Sequence, residues 1–475
     1  MQNVLNKETI ESIYECATDI LATVGVEFGM SSARELFKKN GAKIDGEKVY
    51  FPPSFLTKIL NLMPKYKYEP ANIKRLVAAS PFSNAPMILD DSTGQSRRGT
   101  IDDAIKMYQL TETSKLYKSV NPGVADPEGL DNDDQFIAQI AMLLKYSDKW
   151  PSLGLCATKS NTKNGDVYTS AKKAIQLIKE IKEDDENPVM GQGICPMAPL
   201  SYDEDSLINL TVLVEEKQDI TISPCTLSFM TGPESLMGIV IHDIALSLAG
   251  AVYVQLLKPG TNVNFSCFST MTDMRTMQPV YGSPEYLHVQ IMFYEVCLHY
   301  EMSCALCGCF SDGIRNDYQG GFESCFTAIA PYFMTDVEEI WCYPGHMAAF
   351  AGGSFNKIIF DEELMINCNR ILQGLNLSID PLLKDKLGKS LETKSFLTIG
   401  DVSIYRKEQR ISKIFDKRGI TLENSSSKEG MNINADNEIN RRCVSYILPE
   451  RSKTQKLLLS KYLPTQCKYS QRHYF

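Results

Sequence analysis

No G-x-G-x-x-G turn follows a first strand, no G-x-S-x-G elbow occurs, and no complete P-loop is present in the 475 residues. These gaps take support from a dinucleotide-binding open sheet and a serine hydrolase. Ala351-Gly352-Gly353-Ser354 is glycine-rich but lacks the lysine and spacing of a P-loop, leaving only a phosphate at a helix N-terminus to consider. Basic charge is not in excess: the net charge of −9 argues against a nucleic-acid partner. No secretory segment opens the chain, because Lys7, Glu8, Glu11, Glu15 and Asp19 break up the first helix. The longest apolar stretch, 239–257, carries His242, Asp243 and Gln255, so it reads as a buried helix and not a membrane span. The 14 cysteines lack paired spacing, which fits a reducing cytoplasm. Cys304, Cys307 and Cys309 include one CxxC spacing inside an apolar, strand-like segment, so buried thiols are expected and no metal site.

What is present is an alternation. Residues 1–85 read as an N-terminal helical cap, with helices over 9–25 and 31–40 and a third from about Ser54. From 86 to 410, strand signals alternate with helix signals, which argues for a parallel sheet. An α/β fold, a (β/α)8 TIM barrel, is the reading favoured. Capping pairs are expected at Thr100/Asp103, at Thr231/Glu234 and at Thr335/Glu338, the last opening a helix after one spanning 319–334. Ser283-Pro284-Glu285 reads as N-cap, first-turn proline and first-turn acid. Residues 411–475 form a C-terminal extension, polar and turn-rich, expected to dock loosely and end in the basic Lys461, Lys468 and Arg472.

In a barrel, the loops after the strands build the site. They fall at 225–231, 268–281, 310–319 and 343–355, and carry Phe229, Arg275, Tyr281, Phe310, Asp312, Arg315, Tyr343, His346, Phe350 and Phe355. Aromatics dominate, and His346 is the only histidine in those loops. This composition suits a cationic ligand that does not titrate, held by aromatic faces at about 0.5–2 kcal/mol per ring. Tyr281, Phe310, Tyr343, Phe350 and Phe355 are the cage candidates, and Asp312 could position the cation. His346, Arg275 and Arg315 could anchor a carboxylate at the ligand's other end. Arg275 could equally pair with Asp273 or Glu285, while His242, His288 and His299 fall in helices and read as packing or surface residues.

Five ordered segments carry a resemblance. They are MILDDSTGQSRRGTIDDAIK, GICPMAPLSYDED, the helix ending Gln255-Leu256 before Pro259-Gly260, STMTDMRTMQPVYGSPEY, and SDGIRNDYQGGFES. Together they resemble the trimethylamine/glycine betaine methyltransferase family over most of residues 1–420. The resemblance implies a barrel whose mouth receives an amine and the corrinoid of a cognate partner protein, with no cofactor tightly bound to the chain itself. It also implies a homo-oligomer. No pyrrolysine is present, which points to the relatives acting on quaternary amines such as glycine betaine, proline betaine or carnitine. Tyr405-Arg406-Lys407-Glu408 lacks the histidine-rich run that often precedes it in the family, and the tail beyond 423 is atypical. Two other readings stay open: an inactive betaine- or corrinoid-protein-binding member, and a phosphate-handling barrel lyase.

Overall fold

Strand and helix alternate eight times in the computed structural model, which describes residues 4–68, 74–82, 84–124, 127–375, 377–417, 419 and 430–469. The strands are β1 (Arg75–Ala78), β2 (Ser119–Val120), β3 (Trp150–Leu153), β4 (Gly191–Ile194), β5 (Asp219–Ile222), β6 (Asn264–Phe265), β7 (Leu306–Gly308) and β8 (Glu339–Cys342). Each is followed by its helix: α1 (Ile101–Glu112), α2 (Gln135–Tyr146), α3 (Val167–Lys182), α4 (Glu204–Glu215), α5 (Leu236–Leu257), α6 (Pro284–His299), α7 (Tyr318–Ile329) and α8 (Phe355–Leu372).

β2 to β6 pair in parallel as one sheet, and β7, β8 and β1 as another. Two parallel bridges join their edges, Ala78 with Tyr117 and Phe265 with Cys304. The second is held by Phe265 N–H donating to Ser303 O at 2.9 Å and Ala305 N–H donating to Phe265 O at 2.8 Å. The strands therefore close into a ring in chain order, the (β/α)8 barrel.

All eight helices begin with a side-chain cap: Thr100, Asp134, Asp166, Asp203, Ser235, Ser283, Asp317 and Ser354. Each cap is worth about 1 kcal/mol and fixes where a loop ends. Thr100 and Asp103 form the full capping box, and Ser283-Pro284-Glu285 opens α6 as its chemistry demands. The Thr231/Glu234 box does not form. Thr231 Oγ1 instead accepts Leu227 N–H at 2.9 Å inside the loop, and Ser235 caps α5. Nor does a helix follow Thr335: Glu339–Cys342 is the strand β8, held between β1 and β7. The expected 319–334 helix is broken as well, because Pro331 starts a separate turn after Ile329.

The N-terminal segment adds helices Lys7–Thr23, Ser31–Lys39 and Pro53–Leu60 and short strands, of which Val26–Phe28 pairs with Ser201–Tyr202 after β4. β1 lies inside residues 1–85 by number but belongs to the ring. The apolar helix α5 is long enough to cross a membrane by length and composition, yet most of it is buried in the protein. It packs between the first helix and α6.

The C-terminal region is docked more firmly than its composition suggests. Helix Met431–Ser445 buries Ala435 and Ile439, and Arg442 reaches Glu362 on α8 at 2.5 Å. Leu459, Leu463 and Cys467 are buried too, and Tyr446 Oη donates to Tyr146 O at 2.6 Å. A few apolar residues and two arginines, Arg442 and Arg451, outweigh an otherwise polar sequence; Arg451 donates to Leu144 O at 2.7 Å and pairs with Asp148 at 2.7 Å. Residues 420–429 and Arg472 lie outside the described residues.

Candidate active site

The site is built by the loops after β6, β7 and β8, which hydrogen bonds tie into one unit. Glu323 on α7 starts the chain of contacts. Its Oε2 accepts Ser311 Oγ at 3.0 Å and the N–H of Asp312 at 2.8 Å, holding the loop after β7. Asp312 then accepts the N–H groups of Tyr281 and Gly282, which places the loop after β6. A Cβ on Gly282 would stand 2.5 Å from Glu323 Cδ, so only glycine allows this approach. The loop after β8 closes the unit: Ala348 N–H donates to Gly313 O at 3.0 Å and Ala349 N–H to Ser311 O at 3.2 Å.

That last loop is strained. Ala348, Ala349 and Phe350 have φ of 48°, 51° and 74°, a left-handed run that costs about 1–3 kcal/mol per residue and gathers at functional sites. The strain aims rings at one another. Phe350 meets Tyr281 edge-to-face at 4.6 Å and His346 at 4.3 Å; Phe310 stacks on Tyr343 at 5.6 Å. Phe268 completes the wall, 5.9–6.1 Å from Phe350, Tyr343 and Phe310. Tyr281 and Phe310 are buried, whereas Phe268, Tyr343 and Phe350 keep accessible faces.

The titratable groups here are quiet. His346 is 1% exposed, and neither ring nitrogen has a protein partner. Burial, with Lys357 adding to it, lowers its pKa to about 3, so the ring is neutral. Asp312 is raised to about 6 by burial, against the pull of its two backbone donors. Cys225 Sγ lies 3.4 Å from Tyr281 Oη, and burial pushes the Cys156 thiol up to about 12.

Tyr281, Phe310, Tyr343, His346, Phe350 and Asp312 therefore come together, but three expected site residues do not join them. Arg275 has an 88% exposed side chain and is bound to Asp273 at 2.7 Å within its own hairpin. Arg315 is exposed on the loop surface. Phe355 faces away into the core, edge-on to Phe82 at 5.1 Å, with Lys106 Nζ over its ring at 4.2 Å. Phe229 is also exposed, as are His288 and His299. The glycine pair offers no phosphate cradle. Gly352–Gly353 pairs with Met87 and Ile88, and the carboxylate of Asp91 accepts Ser354 Oγ at 2.6 Å where an anion would sit.

Sequence reasoning missed Phe268 as a member of the wall and Glu323 as the residue that frames it, whereas His242 packs as its helical position implies. Alternation along the strand signalled Phe268, since Val263, Phe265 and Cys267 are buried and the other parity turns inward. His242 is buried, its Nδ1 2.9 Å from Asp243 Oδ1, and its Nε2 accepts Leu200 N–H at 3.2 Å, steadying the loop after β4.

A protein-family model described as trimethylamine methyltransferase (MTTB) matches residues 1–445. The chain is 30% identical to the proline betaine:corrinoid methyltransferase of Eubacterium limosum, over 97% of each chain. It is 30% identical to the L-carnitine:corrinoid methyltransferase of the same organism, over 98% of this chain and 97% of that one. The glycine betaine methyltransferase of Desulfitobacterium hafniense (strain Y51) is 26% identical over 83% of each. Among solved structures, the monomethylamine methyltransferase of Methanosarcina barkeri superposes with a TM-score of 0.52 at 9% identity, covering 94% of this chain and 89% of that one.

Proposed function

The chain belongs to the trimethylamine methyltransferase family, and we propose that it moves a methyl group from a quaternary amine to the cobalt of a corrinoid protein. The observation that carries this reading is a wall of aromatic rings beside titratable groups that are neutral or already engaged. In such a transfer the C–N bond breaks with its electron pair going to nitrogen, and a neutral tertiary amine leaves. Co(I) supplies the pair for the new Co–C bond. No proton moves, so the site has only to hold the cation, exclude water and align the methyl group. Phe268, Tyr343 and Phe350 present their faces to the ammonium, with Tyr281 and Phe310 behind them. The corrinoid enters as the second substrate, carried by its own protein to the barrel mouth.

The setting is the cytoplasm, where the 14 cysteines, all free, remain thiols. Self-association belongs to the same reading. Helix Leu383–Thr393 buries no residue, and Leu383, Leu387 and Leu391 share one exposed face. An isolated helix of that length is not stable in water without a packing partner.

The test is spectroscopic. Mixed with a reduced corrinoid protein and a panel of quaternary amines, the protein should convert the Co(I) spectrum to that of methylcobalt with at least one amine. Absence of that conversion across the panel, despite binding by calorimetry, would overturn the proposal.

A further inference from the structure

Barrels of this type are normally filled by layers of side chains. This one is hollow: a cavity of about 890 Å³ runs from Asp219 and Glu339 at the amino ends of the strands to Ser266 and Tyr343 near their carboxyl ends. Small residues leave the space, among them Ser119, Ser152, Gly191 and Thr221. Glu339, Trp341 and Tyr343 alternate along β8 and all line the cavity, so they share one face in steps of about 7 Å. Trp341 also packs against the aromatic wall of the mouth, joining the two regions.

The lower part of this space has the lining of a cation site. The chain has 2 tryptophans, and both Trp150 and Trp341 are here, with Tyr294. Lys118 Nζ already lies 5.8 Å from the ring centre of Trp341, so Trp150 is the freer face. The charges around it are mostly matched. Lys118 and Arg75 both bind Glu339, Lys118 at 2.8 Å, and Lys65 is 3.5 Å from Glu301. Lys67 and Glu338 also line the cavity and are both exposed to solvent. Asp219 is left: it lines the cavity at its amino-terminal end, exposed, and its carboxylate has no hydrogen bond or ion pair to any described residue. A Cβ on Gly191 would stand 3.6 Å from the Asp219 Cβ and 3.9 Å from Trp150 Nε1, so the carboxylate and the indole flank this glycine, which leaves the space between them open.

We propose that the lower lumen is a second binding site for a small quaternary ammonium ion, held by the Asp219 carboxylate and the face of Trp150, separate from the site at the mouth. The choice of ligand class rests on the proposed function; the cavity and its lining do not. Aromatic faces and an unpartnered carboxylate are what a cation without N–H donors can use.

The tryptophans report on the site directly. In a Trp341→Phe variant, Trp150 is the sole emitter at the amino-terminal end of the barrel. Titration with tetramethylammonium chloride, against sodium chloride at equal ionic strength, should give a saturable change in its emission. Adding Asp219→Asn should weaken the apparent affinity by about tenfold, whereas Phe350→Ala at the mouth should leave it unaltered. Should the Trp341→Phe variant not fold, calorimetry on the native chain replaces the titration, with two ammonium ions expected per chain and one after Asp219→Asn. No saturable change, or a change indifferent to Asp219→Asn, would overturn the proposal. Neither experiment contains a corrinoid protein, so failure of the methyl-transfer assay and failure of this site are read separately.

Discussion

The carboxylate of Asp312 accepts the backbone N–H of Tyr281 at 2.9 Å, so the loop after β7 dictates where the ring on the loop after β6 stands. Its second oxygen accepts Gly282 N–H at 2.8 Å, and both bonds need the ionised form to be kept together.

Burial raises the Asp312 pKa to about 6, so methyl transfer is expected to fall as pH drops through that value. The stability term has the opposite sense: a raised carboxyl favours the folded state below its ordinary range and loses that contribution as pH rises through about 6. Asp312→Asn turns an amide N–H₂ toward one of the two backbone donors. That variant should be slow at every pH and lack the acidic limb. A pH–rate profile showing the limb intact in the Asn variant would refute this role.

His346 carries the reverse linkage. Its folded pKa of about 3 lies below the ordinary histidine value, so the stability it lends is full above about 6.5 and is lost as pH falls toward 3. At pH 5 the loss amounts to about 2 kcal/mol. Urea unfolding at pH 7.5 and pH 5 should show His346→Phe losing less stability than the native chain, by about that amount. Equal losses in the two proteins would show that His346 titrates normally.

Lys357 and Asp361 form a buried pair at 2.7 Å, each side chain 3% exposed, and Asp361 also accepts Gly345 N–H at 2.8 Å beside His346. Removing one charge leaves the other unpaired. Lys357→Met should destabilise the protein by about 3–5 kcal/mol, and Lys357→Met with Asp361→Asn should recover part of that loss. Denaturant midpoints of the two variants decide it.

Two phenylalanines five residues apart should behave differently. Phe350→Ala removes a face from the wall and should weaken quaternary amine binding by a factor of about 2–30. Phe355→Ala should leave binding unaltered and lower stability by about 3 kcal/mol, as a core truncation does. Calorimetry and thermal unfolding on the pair separate the roles, and a matching loss of affinity in both would contradict the geometry.

Much of the frame could be read from local chemistry. Thr100 with Asp103 and Ser283 with Pro284 mark helix starts because a cap acts within four residues. The barrel and the membership of Tyr281, Phe310, Tyr343, His346 and Phe350 in one cluster followed from loop position. What failed depended on neighbours distant in sequence or on competing caps. Phe355 turns to Phe82, 273 positions earlier, and Thr335 precedes a strand because β1 and β7 both need a partner there. Arg275 had its partner two residues away, and a hairpin, invisible to helix spacing, chose Asp273 over Glu285.

A barrel with an open middle has moved its stability outward, to residues such as Ile194, Ile222, Phe265 and Ile340, which are buried on the other side of the ring. Inward positions such as Ser152 and Thr221 are then loosely constrained by folding. Lineages can vary them at small structural risk, and the same freedom makes them the first positions to randomise when the chain is asked to accept a different amine.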